Sequence, residues 1–167
     1  MVWLKIFLGK LKTLQEIALF LDTPIYVINE NKKALSEWVD AKAPVVFFFE
    51  KSDQDTRNKQ GKKVLEKMIA ALAVRQTKSP KITEIPITLI EIQNKIRIEW
   101  DFERLSVEKI IIFGKEVANH IGIHYPLYEI FSIGQVACLI SDTLREIEAE
   151  QSRKMLLWNN LLKMFVV

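Results

Sequence analysis

Four short stretches of the chain are almost wholly apolar: Val45–Phe49, Ile87–Ile90 within the longer run Ile85–Ile92, Ile110–Phe113, and Val136–Ile140. Continuous runs of this length, rich in β-branched and aromatic residues, are the pattern of strands buried on both faces. The segments between them change period. In Arg57–Val74, residues Val64, Leu65, Met68, Ile69 and Leu72 fall on one helical face. Lys115–Ile121 puts Val117, Ala118 and Ile121 on one side of a short helix. Gly114 divides that helix from the Ile110–Phe113 run, and Gly122 stands where a helix-ending residue takes a positive φ. After the last run, Ser141-Asp142-Thr143 has the composition of a helix start. Gln151–Phe165 closes the chain with apolar residues around most of its circumference. Strands alternating with helices predict a three-layer αβα domain with a short, mostly parallel four-stranded sheet.

The remaining segments are read from weaker patterns. Leu4, Phe7, Leu11, Leu14, Ala18 and Leu21 alternate steps of three and four, which predicts an N-terminal helix within residues 1–22. Trp3, Ile6, Leu8 and Ile17 lie outside that stripe, more apolar surface than one packed face uses. Such a surplus calls for a second copy or a protein partner, with Trp3, Leu4, Phe7, Leu8 and Leu11 as the contact residues. Packing of the segment on its own domain is the plainer reading. Ile25–Ile28 reads as a short extended piece and Lys32–Val39 as a short helix. Asn94–Leu105 suits either period. We read it as a helix, because parallel strands need a crossover and Ile98, Phe102 and Leu105 share a helical face. Ile123–Gly134 reads as irregular chain or a short strand.

Composition adds boundaries. A chain of 167 residues favours one domain, here with an α/β core over residues 43–165 and no internal repeat. The formal charge of +3 is compatible with nucleic acid but far from that of a basic tail or a histone-like protein. Lys59, Lys62, Lys63 and Lys67 do share one helix face, most simply a solvated face and otherwise a weak nucleic-acid footprint. The single Cys138 excludes an internal disulfide and fits a reducing cytoplasm. Its apolar neighbours mark it as a small core residue rather than a nucleophile. Lys5, Lys10 and Lys12 interrupt the apolar N-terminus, so no membrane span and no secretory signal is expected there.

Candidate chemistry is sparse. Glu50, Asp53 and Asp55 follow the Val45–Phe49 strand, at the end of a parallel sheet where ligands bind. The Phe113-Gly114-Lys115 joint could hold an anion at a helix start, but it lacks the glycines of a dinucleotide or phosphate loop. A structural glycine is the better reading. His120 and His124 are separated by Gly122 and have no Cys, Asp or Glu close by in sequence, so neither a metal nor a cofactor is expected.

The order of these elements resembles the uracil-DNA glycosylase superfamily. The residues that carry the likeness are IIIFG-KEVANHIG, the following apolar strand, Asp142-Thr143-Leu144, and the final helix with Trp158-Asn159-Asn160-Leu161-Leu162. It covers roughly Ala43–Phe165. Setting Leu144 on the leucine of that family's His-Pro-Ser-Pro-Leu segment puts Ile140, Ser141, Asp142 and Thr143 where His, Pro, Ser and Pro would be. The loop after the first core strand, Glu50–Asp55, has neither the glycine nor the proline of active members. The resemblance therefore implies the fold without the base-excising chemistry. Non-catalytic proteins of this kind resemble the psi subunits of the bacterial DNA polymerase III clamp-loader complex, which associate through an N-terminal segment. The resemblance implies a protein-interaction subunit in replication or repair assemblies, with DNA contacted weakly or indirectly. Two alternatives stand beside it: an active base glycosylase or hydrolase using Asp53 or Asp55 to position water, and a small-molecule α/β enzyme holding an anion at Gly114.

Overall fold

The computed structural model describes residues 33–50, 58–78, 80–92 and 96–166. The N-terminal helix expected over Leu4–Leu21, the piece Ile25–Ile28 and the loop residues 51–57 lie outside the described residues.

All four apolar runs are strands of one sheet. They are β2 (Val45–Glu50), β3 (Ile87–Ile92), β5 (Lys109–Phe113) and β7 (Val136–Ser141). These four are mutually parallel where they pair. The sheet has a fifth strand, β6 (Ile130–Ile133), which joins β7 as an antiparallel hairpin and completes the order β3-β2-β5-β7-β6. The expected four-stranded sheet is thus corrected to five. Ile130-Phe131-Ser132-Ile133 falls within Ile123–Gly134, for which a short strand is one of the two readings, and its half-buried or exposed residues form no unbroken apolar run that would place it in the sheet. Its two-residue turn begins with Gly134 at φ 60°, the residue such hairpins place first.

Side chains alternate between two cores, as the pleat requires. Val46, Phe48, Ile110, Ile112, Cys138 and Ile140 point to one. Val45, Phe47, Ile111, Phe113 and Leu139 point to the other. The second face is covered by α1 (Asn58–Arg75), α3 (Leu144–Ala149) and α4 (Gln151–Phe165), through Leu65, Leu72, Ile147, Leu157 and Leu161. The first face is covered by α2 (Lys115–His120) and by shorter pieces carrying Leu35, Trp38, Ile96, Ile98 and Trp100. Each fully buried large aliphatic or aromatic side chain here contributes about 1.5–3 kcal/mol of transfer free energy. Connections that travel in opposite directions along the sheet lie on opposite faces, which a single crossover hand demands.

The crossover from β3 to β5 differs from expectation. Among its described residues, 96–105 form no α-helix. Ile98–Glu99 is instead a strand (β4) paired in parallel with Lys33–Ala34 (β1), followed by a single 3₁₀ turn, Phe102–Arg104. The two-residue period won: Ile96 and Ile98 are buried while Arg97 and Glu99 are exposed. Distant partners satisfy the backbone that a helix would have satisfied. The Ile96 amide donates to the His120 carbonyl at 2.8 Å. The same pairing corrects the helix expected over Lys32–Val39. Only Leu35–Glu37 turns, as 3₁₀, and Ser36 is latched to the Asp101 carboxylate through both its amide, at 3.0 Å, and its hydroxyl. Burial alone would raise the Asp101 carboxyl, but the bonds from Ser36 outweigh it and hold the group below its ordinary value.

Candidate functional site

In parallel sheets the ligand end is the carboxyl edge, at the point where the strand order reverses. Here that point lies between β2 and β5. The chain leaves β2 for β3 on one side and returns to β5 on the other. The loop after β2 holds Asp53 and Asp55 and falls outside the described residues. The joint after β5 is Gly114. Its φ is 100°, and a Cβ there would come within 3.0 Å of the Thr143 methyl. Its amide donates to the Ser141 carbonyl at 2.9 Å, extending the β5–β7 ladder by one rung. Glycine is required because two post-strand loops meet at this point, which accounts for the residue without an anion.

The end of β7 carries the densest polar cluster of the described residues. Ser141 is fully buried, and its hydroxyl donates to the Asp142 carbonyl at 3.1 Å. Asp142 is 8% exposed. Its Oδ2 accepts from the Tyr128 hydroxyl at 2.5 Å and faces Arg153 Nη1 at 2.8 Å. Arg153 also donates from Nε to Glu150 at 2.7 Å and lies 3.8 Å from Glu146. Thr143 caps α3 in a reciprocal box with Glu146: the Glu146 amide donates to Thr143 Oγ1 at 3.2 Å, and Glu146 accepts from the Thr143 amide at 3.0 Å.

Local sequence explains how these groups meet. Asp142 follows directly on a buried strand, so its position is fixed by the sheet. Arg153 lies in the first turn of α4 and reaches back over the short α3. Tyr128 takes φ 62°, uncommon for a residue other than glycine, while its amide donates to the Ile140 carbonyl at 2.8 Å. That strained turn delivers the phenol to Asp142. Burial, reinforced by donation to the carboxylate, raises the Tyr128 phenol well above its ordinary range. Bonds to Glu150 and then Asp142 hold Arg153 firmly cationic. The Thr143 hydroxyl and amide lower Glu146, and Ser152 followed by Arg153 lowers Glu150. A phenol that keeps its proton and an arginine that keeps its charge are poor proton carriers. The arrangement suits clamping a loop, a strand end and a helix together.

Of the residues singled out from the sequence, Trp3, Leu4, Phe7, Leu8 and Leu11 lie outside the described residues, as do Asp53 and Asp55. Lys59, Lys62, Lys63 and Lys67 all lie on α1, and Lys63 and Lys67 are exposed. Cys138 is buried, and that burial pushes its thiol up to about 12. His120 ends α2, and His124 Nδ1 lies 3.3 Å from Asn119 Oδ1. Among the described residues, no three His, Cys, Asp or Glu side chains are grouped to hold a metal ion. The sequence reading missed Tyr128 and Arg153. The available signal was Asp142 itself, an acidic residue fixed at the end of a fully buried strand.

What fold and site define together is a three-layer α/β protein with a mostly parallel sheet and, at the carboxyl end of β7, a cluster in which Arg153 faces Asp142, Glu146 and Glu150. Comparison with known proteins finds no family model that matches the chain and no curated protein that does. No helix of the described residues is long and apolar enough to cross a membrane.

Proposed function

We propose that this chain is a non-catalytic protein-interaction subunit with a uracil-DNA glycosylase-like fold, working in DNA replication or repair assemblies in the manner of the psi-type clamp-loader accessories. The observation that carries the reading is the state of the segment set on His-Pro-Ser-Pro-Leu. Ile140 stands where the supporting histidine would be, with Ser141 beside it, and they are 1% and 0% exposed. Asp142, next in line, is engaged by Tyr128 and Arg153. Supporting a leaving base requires a donor that faces an open pocket. None of these three residues is available for that.

On this reading the binding surface is the apolar N-terminal segment, with Trp3, Leu4, Phe7, Leu8 and Leu11 as anchors. An amphipathic helix laid in an apolar groove is the corresponding mode of association. Removing Met1–Lys12 tests it. The truncated chain should keep its melting temperature and lose association, with itself or with a clamp-loader partner, in sedimentation velocity. A sharp fall in melting temperature would make the segment part of the core. Unchanged sedimentation and undiminished partner binding would remove it as an interface.

A further inference from the structure

A shallow groove of about 370 Å³ opens beside α2. It is lined by Lys115, Asn119, His124, Tyr125 and Pro126 over a floor that includes Ala118, with no acidic side chain. Tyr125 is unusual among its residues. It is 50% exposed, yet its ring lies parallel to Phe131 at 3.9 Å between centroids and 5° between planes. With one face held against Phe131, the exposed half of the ring is the opposite face and the edge. The result is an aromatic face backed by a second ring.

The polar groups around it are complementary in type. Lys115 brings an exposed ammonium. His124 Nδ1 lies 3.3 Å from Asn119 Oδ1. An amide and an imidazole each carry both donor and acceptor capacity. A stacking face, a cation and a donor–acceptor pair in one groove match a planar heterocycle that carries a phosphate. A base stacks on an aromatic side chain whatever its identity, and its phosphate takes the cation.

We propose that this groove binds a nucleotide, with the base on Tyr125, the phosphate at Lys115, and Asn119 and His124 along the base edge. The inference goes beyond the protein-interaction reading and does not depend on the N-terminal segment. The nucleotide could be free or one unit of a single strand. Two arms separate these sources: titration of thymidine monophosphate followed by NMR of the Tyr125 and His124 rings, and anisotropy of a fluorescein-labelled oligothymidylate of about 12 nucleotides.

Binding in either arm should weaken roughly tenfold in Tyr125→Ala and be retained in Tyr125→Phe. Lys115→Glu, at an exposed position, should also weaken it and reduce its salt dependence. Met1–Lys12 removal should leave it unchanged, which separates this site from the interface proposed above. Binding insensitive to Tyr125→Ala, or abolished only by Lys63→Glu with Lys67→Glu on α1, would overturn the assignment. So would the absence of ring shifts at millimolar thymidine monophosphate together with no anisotropy change.

Discussion

Gly114, Tyr128 and Asp142 carry more of the design than their size suggests. Gly114 combines a backbone conformation hostile to side chains with a 3.0 Å approach to Thr143. Gly114→Ala should cost about 1–3 kcal/mol by strain and contact together, read as a lowered denaturation midpoint. The Tyr128–Asp142 bond should be visible in the pH dependence of stability. The phenol's value is raised above its ordinary 10.0 on folding, so the folded state holds that proton more tightly than the unfolded chain. Its stabilisation is complete below pH 10 and is lost as pH rises beyond it. Thermal melts from about pH 9 to about pH 11 should fall more steeply for the native chain than for Tyr128→Phe. Glu146 behaves with the opposite sign. Its value is lowered on folding from an ordinary 4.5, so its contribution is present above that pH and lost as pH falls below it. Glu146→Gln should flatten the acid limb. Asp142→Asn should cost about 1.5–3 kcal/mol, the range of hydrogen bonds to charged groups.

At the scale of elements, legibility followed burial. Val45–Phe49, Ile110–Phe113 and Val136–Ile140 are buried on both faces, so their composition alone marks them as strands. Gln151–Phe165 matches its helix end to end. Its polar residues are not all exterior: Asn160 is 9% exposed, and its amide donates to the Leu156 carbonyl one turn back. The failures sit where a distant partner decides. Residues 96–105 contain enough helical spacing to support a helix, but β1 offered a strand to pair with and Ser36 a latch for Asp101. Neither can be read from a local window. β6 stayed ambiguous between strand and irregular chain because its residues are half-buried or exposed. The site shows the same division. Ser141-Asp142-Thr143 was legible as a helix start and not as a site, whereas Tyr128 reaches Asp142 through a positive-φ turn and Arg153 through the succession of two helices. Long-range contacts of that kind leave no periodic trace. Cys138 fits the legible class: buried, with its thiol pushed up to about 12, it should react with a thiol probe only after denaturant is added.

For the whole molecule, a sheet buried on both faces carries a carboxyl edge whose polar groups at β7 satisfy one another. The sheet order sets the reversal point between β2 and β5, and Asp53 and Asp55 belong to the loop after β2. We propose the family's architecture without its base-excising chemistry. The most direct test is incubation of the purified full chain with single- and double-stranded DNA containing uracil, scoring free uracil and abasic sites. Release should be no greater than from DNA alone. Robust release that disappears in Asp53→Asn or Asp55→Asn would contradict it and make the protein an active base hydrolase.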